Sequence, residues 1–259
     1  MSAMQQGLKG RVAWVTGGGT GIGRATATWL ARAGATVAIS GRRVEELEKT
    51  AAELRAQGLA IEVARADVAD AASVAAAHAS IVERCGAVSV LVCAAGTNVP
   101  NRSWTKLTPE GFGKVIQINL AGVANTVHAA LPAMREAGTG SIVVVSSFAG
   151  WAYADFPGVA YSASKAALDP LVQSLNDEEG RHGIRACHFC PGEVATPILK
   201  TRPVPPSDDE VARMLRVEDV ADAIGYVVTA PAHVCLAEVV IAPTWNRFYI
   251  GGEDLKRRA

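Results

Sequence analysis

The chain has 259 residues, 49% hydrophobic and 19% charged, with 25 basic and 25 acidic residues and a formal net charge of zero. That composition excludes a disordered or coiled-coil chain, and the charge balance leaves no basic surplus for nucleic acid or an anionic membrane surface. No apolar signal core opens the sequence, and its longest charge-free stretch, residues 115–134, carries Gln117, Asn119, Asn125, Thr126 and His128. Such a stretch is a poor membrane span, so a soluble, cytoplasmic protein is the expectation.

Seven runs rich in valine and isoleucine read as strands: residues 12–15, 36–40, 61–64, 88–93, 142–145, 184–189 and 239–242. They show little polar alternation, which suits strands buried on both faces. Helical stretches at 23–33, 44–57 and 72–84 separate the early strands and close near Gly34, Gly58 and Gly86, the usual helix stop. This alternation predicts an α/β fold, a doubly wound parallel sheet of about seven strands with helices on both faces. The proline-rich stretch 197–206 is too short for a linker between domains. Residues 1–259 therefore read as one domain, with a substrate loop or lid around 197–216.

The five cysteines are Cys85, Cys93, Cys187, Cys190 and Cys235. An odd count without a signal peptide argues against a disulfide framework. Cys187 and Cys190 form a C-x-x-C, but on a strand residues three apart face opposite ways. No second such pair completes a zinc site, so no metal site is predicted and the thiols read as buried.

The first strand runs into Thr16-Gly17-Gly18-Gly19-Thr20-Gly21-Ile22-Gly23, and a helix follows. The spacing through Gly17, Gly21 and Gly23 is G-x-x-x-G-x-G. A glycine-rich strand-to-helix turn lets backbone approach a pyrophosphate, while the helix N-terminus supplies N–H groups and positive dipole. Gly17, Gly19, Thr20, Gly21, Ile22 and Gly23 are thus cofactor-binding candidates. The second strand ends in Ser40-Gly41-Arg42-Arg43, without the carboxylate that would select NAD. Arg42 could grip a 2′-phosphate, which favours NADP over NAD; the plain alternative is two solvated arginines at a helix start. Asp67 and Val68 are candidates after the third strand. Asp67 would accept from an adenine amino group, or merely turn the chain.

Ser146 and Ser147 end the fifth strand, and Tyr161 and Lys165, four residues apart, share one face of a predicted helix. A free phenol with a pKa of about 10 is a poor base at neutral pH. A neighbouring ammonium lowers that pKa, and a hydroxyl at a strand end could hold a substrate oxygen beside the phenol.

With Pro191-Gly192-Glu193-Val194-Ala195-Thr196 following, the chain resembles the short-chain dehydrogenase/reductase family. The motifs T-G-x-x-x-G-I-G, a strand-end serine, Y-x-A-S-K and P-G-x-V-x-T stand in order, and the resemblance covers residues 8–242. It implies a Rossmann-type fold and a catalytic tetrad of Asn119, Ser147, Tyr161 and Lys165. Tyr161 would pass the proton and Ser147 orient the carbonyl. Lys165 would lower the Tyr161 pKa and bond the nicotinamide ribose, while Asn119 anchors a water. Ser147 is chosen over Ser146 because Phe148-Ala149-Gly150 follows it. The resemblance places Ala95 and Gly96 against the cofactor, with Pro191, Gly192, Val194 and Thr196 covering the nicotinamide.

It further implies a small-molecule alcohol or carbonyl substrate and a homo-oligomer, tetramer or dimer, for which apolar helix faces in 115–134 and 166–175 are a second motive. Two departures stand out: Cys93 replaces the asparagine usual after the fourth strand, and Pro170 falls inside the predicted catalytic helix. Phe148, Trp151, Tyr153 and Phe156 crowd the stretch before Tyr161, and Ile198, Leu199, Met214 and Leu215 follow in the lid. Together they predict an apolar or aromatic substrate, whereas Asp155 and Arg202 would select a polar one. The alternatives are a catalytically silent cofactor-binding protein and a sugar-nucleotide epimerase or dehydratase. The intact tetrad argues against the first, and Thr20 in place of a middle glycine argues against the second.

Overall fold

Alternate residues of the central strands are buried on opposite faces, and each set meets its own layer of helices. Ala13, Val15, Val37, Ile39, Val90, Val92, Val143 and Val145 belong to one apolar cluster, with Leu30, Leu47, Val220 and Ile224 from helices. Trp14, Ala38, Leu91, Cys93, Ile142 and Val144 belong to the other, with Val74, Ile81, Val127, Met134 and Leu168. Each central strand thus removes both faces from water, which is why the sequence shows continuous apolar runs there.

The computed structural model describes residues 7–154 and 156–246. In chain order the elements are β1 (Val12–Thr16), α1 (Gly21–Arg32), β2 (Thr36–Gly41), α2 (Val44–Arg55), β3 (Ile61–Arg65), α3 (Ala71–Cys85), β4 (Val88–Cys93), α4 (Pro109–Ile116) and α5 (Gly122–Ala137). Then follow β5 (Gly140–Val145), α6 (Phe148–Trp151), α7 (Val159–Ala166), α8 (Leu168–Glu179), β6 (Ile184–Pro191), α9 (Asp208–Ala212), α10 (Val217–Thr229) and β7 (Glu238–Ile241). The strands form one seven-stranded parallel sheet in the order β3-β2-β1-β4-β5-β6-β7. This is the Rossmann-like doubly wound arrangement. The order reverses between β1 and β4, so a crevice opens at the carboxyl ends of those strands.

Three local features depart from the reading of the sequence. The charge-free stretch is not one helix: residues Gln117–Ala121 form a π-helical turn between α4 and α5. Asn119 lies on that widened turn, and π-turns are frequent at functional sites. Pro170 does not kink a continuous helix. The helix breaks at Ala167, and Pro170 falls in the first turn of α8, where a missing N–H costs nothing. The third concerns the apolar residues of stretches 115–134 and 166–175, which turn inward. Val123, Val127, Leu131, Met134, Leu168 and Val172 are buried, with Leu171 and Leu175 packed against them. They leave no surplus apolar face to motivate an oligomer.

Cys187 belongs to the first cluster, whereas Cys190 contacts the buried His188 at 3.4 Å, on the opposite face of β6. All five cysteines are free thiols.

Candidate functional site

The β1–α1 turn leaves no room for a side chain at Gly17 or Gly23. Gly17 has φ +69°, and a Cβ there would stand 2.9 Å from the Ala95 nitrogen; a Cβ on Gly23 would stand 2.4 Å from the Gly17 oxygen. The loop therefore closes on the end of β4. No side chain caps α1: Thr20 stands at its N-cap without a capping bond. The first N–H groups of this 12-residue helix and its positive dipole end are left for a ligand.

That turn forms one wall of a cleft of about 490 Å³. Every residue read from the sequence as cofactor-binding lines it: Gly17, Gly19, Thr20, Gly21, Ile22, Gly23, Arg42, Asp67, Val68, Ala95, Gly96, Tyr161, Lys165, Pro191, Gly192, Val194 and Thr196. Arg42 is exposed, and its neighbour Arg43 reaches Thr20 Oγ1 at 3.4 Å. Asp67 Oδ1 accepts from the Ala69 N–H at 3.1 Å, so that oxygen does turn the chain. The covering loop is fixed to the segment beyond it, since Leu215 N donates to the Glu193 carbonyl (2.9 Å) and Ala195 N to the Leu215 carbonyl (2.8 Å).

On the other wall the Tyr161 hydroxyl is hydrogen-bonded to Ser147. The Ser147 hydroxyl also accepts from the Ala149 N–H at 3.2 Å as the N-cap of α6. Ser146 acts elsewhere. It is buried and donates to the Lys165 carbonyl at 3.0 Å. Lys165 is 4% exposed. Its Nζ donates to the Val145 carbonyl at 2.7 Å and lies 5.9 Å from the Tyr161 ring centre. Burial pushes its pKa down to about 8.

The Tyr161 pKa is raised, chiefly by burial; the Ser147 bond and the cations Arg102 and Arg202 oppose the rise. Ser147 and the two arginines work to lower the phenol, and the Lys165 ammonium gives one of its three N–H bonds to a backbone carbonyl.

Asn119 stands behind the cleft. Its Oδ1 accepts from Thr97 N (2.8 Å), and its Nδ2 donates to Thr97 O (2.9 Å) and Ser164 Oγ (3.1 Å). It ties the loop after β4 to α7. Cys93 fills the asparagine position as a buried thiol, and burial pushes its pKa up to about 12.

Only one of the four crowded aromatics lines the cleft. Phe148 is in the core with its ring against Trp151 (centres 5.2 Å apart). Trp151 is 45% and Tyr153 88% exposed. Phe156 does line it, with Ile198 and Leu199 but without Met214 or Leu215. Asp155 lies outside the described residues. What the sequence did not single out is Arg102, on the loop between β4 and α4, and the pairing of Arg202 with Glu193 at 2.8 Å. Arg102 belongs to no motif, and its arrival beside Tyr161 is purely tertiary.

An open helix end and a Tyr–Ser–Lys group in one crevice at the switch point of a parallel sheet define a nicotinamide-dependent oxidoreductase. The family model described as short chain dehydrogenase matches residues 11–204, and the chain belongs to that family. It is 35% identical over 246 residues to the glycine betaine reductase of Emericella nidulans; the match covers 91% of this chain and 19% of that protein. The chain thus spans about a fifth of the length of that relative. The alcohol dehydrogenase of the archaeon Thermococcus sibiricus, complexed with 5-hydroxy-NADP, is 31% identical with a TM-score of 0.82, over 92% of this chain and 98% of that one. A gluconate 5-dehydrogenase from Burkholderia cenocepacia, in complex with NADP and tartrate, is 28% identical with a TM-score of 0.81, over 93% and 97%. Among the described residues, no helix is long and apolar enough to cross a membrane.

Proposed function

We propose that this chain is an NADP-dependent oxidoreductase that interconverts a secondary alcohol and a ketone, with Tyr161 as the acid–base group. The observation that carries the reading is the Tyr161 hydroxyl, bonded to Ser147 in the cleft into which the uncapped N-terminus of α1 opens.

The residues present fit a dinucleotide. The N–H groups of Gly21, Ile22 and Gly23 would hold the pyrophosphate, and Asp67 and Val68 would border the adenine. β2 ends without a carboxylate, and Arg42 would take the 2′-phosphate. The NADP and the NADP derivative in the two structural relatives support that choice. Ala95 and Gly96 offer backbone to the ribose, and the loop of Pro191, Gly192, Val194 and Thr196 would close over the nicotinamide. When bound, the nicotinamide supplies or accepts the hydride.

The chain's own residues do the rest. Ser147 donates to the substrate oxygen. Tyr161, kept protonated by burial, gives its proton to that oxygen in reduction and takes it back in oxidation. Lys165 would bond the nicotinamide ribose, and Asn119 positions the loop after β4 on α7. Residues 197–216 would act as the lid within a single domain. The assembly is a dimer or a dihedral tetramer, which would cover the exposed rings of Trp151 and Tyr153; a monomer mass by light scattering at micromolar protein would rule it out.

A screen of carbonyls with NADPH and of alcohols with NADP tests the reading. Turnover that disappears in Tyr161→Phe is expected. No turnover of any compound by a well-folded, cofactor-loaded protein would overturn it.

A further inference from the structure

The Tyr161 end of the cleft holds two guanidinium groups around one aromatic residue. Arg102 Nη1 donates to the Phe156 carbonyl at 3.4 Å, and the Arg202 guanidinium lies over the Phe156 ring, 5.4 Å from its centre. Both cations act on the Tyr161 hydroxyl. Their charges are met unequally. Arg202 is paired with Glu193, whose side chain is 5% exposed, whereas Arg102 has no carboxylate within salt-bridge distance among the described residues. Among the described residues one positive charge in a half-buried place is left over, and it acts on the hydroxyl that would handle the substrate oxygen.

Arg102 is not a loose surface side chain. Its Nε donates to the Val99 carbonyl at 3.1 Å, and Asn98 Nδ2 pins the facing loop through the Pro157 carbonyl at 2.9 Å. Gly158, with φ +86°, presses on the Arg102 backbone: a Cβ there would stand 2.5 Å from Arg102 Cβ and 2.9 Å from its carbonyl oxygen. Only glycine permits that approach. The two loops thus hold the guanidinium into the cleft, where Nη2 makes no hydrogen bond among the described residues. Burial, with Arg202 nearby, pushes its pKa down to about 10. A charged group held in such a place is costly unless a partner arrives.

We propose that the substrate is an oxo or hydroxy acid, and that Arg102 is the specificity-determining residue that binds its carboxylate, with Arg202 completing the fork. The proposal rests on the oxidoreductase reading for its carbonyl and replaces the apolar substrate expected from the aromatic residues. The single leftover charge matches a monoanion, and the planar guanidinium matches a carboxylate held by two parallel bonds.

The test pairs each acid with its neutral amide: acetoacetate and levulinate for turnover with NADPH, and 3-hydroxybutyrate and 4-hydroxypentanoate for binding to the NADPH-loaded protein by calorimetry. The acids should be preferred over the amides by about ten- to hundredfold, the worth of a charge-assisted bond. That ratio should collapse towards one in Arg102→Gln and fall part of the way in Arg102→Lys, which keeps the charge, loses the fork and serves if the first variant does not fold. Equal treatment of acids and amides by the wild type, absence of acid binding, or an unchanged ratio in both variants would overturn the proposal. Acid binding that depends on Arg102 without turnover of any compound would instead strike the oxidoreductase reading and leave the anion site standing.

Discussion

The wall of the cleft from β1 to β2 presents glycine backbone and an uncapped helix end, whereas the wall from β4 to β6 presents side chains in altered electrostatic surroundings. Tyr161, Lys165 and Arg102, all with displaced pKa values, belong to the second wall. The first grips by geometry that is fixed once the turn folds. The second depends on what burial and neighbouring charges do to each group. Damage to the first wall should therefore weaken cofactor binding, and damage to the second should weaken turnover.

The largest effect is expected at Tyr161. Tyr161→Phe should lose about 10²–10⁴ in turnover, the usual worth of an acid–base group, with NADPH binding by fluorescence titration within a few-fold of wild type. A variant that turns over normally, or that loses the cofactor instead, would break the division between the walls. Gly23→Ala should give the opposite pattern. Its Cβ would collide with the Gly17 oxygen, and overpacking typically costs about 1–3 kcal/mol, or roughly five- to 150-fold in cofactor affinity. Turnover at saturating cofactor should change far less than affinity; the reverse would contradict the comparison.

Arg42→Ala is expected to weaken NADP binding by roughly tenfold, the lower end for a charge-assisted bond because Arg42 is exposed. NAD binding should be unaltered. Equal affinity of the wild type for both nucleotides would remove Arg42 from the first wall's function.

The smallest effect concerns stability. Burial pushes Cys93, Cys187 and Cys190 up from about 9 to about 12. Between those values the unfolded chain has released protons that the folded chain retains, so the stabilisation is complete below about pH 9 and is lost towards pH 12. Urea unfolding should show stability falling above about pH 9, with a shallower fall in Cys93→Ala. An identical slope in that variant would contradict the thiol assignment.

These two walls also differ in how far the sequence disclosed them. The glycine spacing, the strands and their faces were legible because backbone requirements and side-chain alternation are local. Element ends shifted by a residue or two; β5, for instance, begins at Gly140 rather than at 142. The Tyr161–Lys165 offset located α7, but nothing local announced Arg102, which also acts on the phenol. Lys165 turns to the Val145 carbonyl, a partner 20 residues earlier, and Arg102 comes from a loop with no pattern of its own. The aromatic residues misled because closeness in sequence to Tyr161 did not fix direction: Phe148 packs inward and Tyr153 points outward. The π-turn at Asn119 was invisible as a helix interruption because the apolar spacing continues through it, whereas Pro170 stood out but the break falls three residues earlier, at Ala167.

The most direct test of the central claim, that the two walls bring a cofactor hydride and the Tyr161 proton to one carbonyl, is isotope transfer. NADPH deuterated at the transferable position of the nicotinamide is incubated with the enzyme and a carbonyl that it turns over, and the alcohol is analysed by mass spectrometry. The account predicts one deuterium at the carbinol carbon, and none when Tyr161→Phe is used for the same time. Alcohol formed without deuterium from either face of the labelled nicotinamide would contradict it.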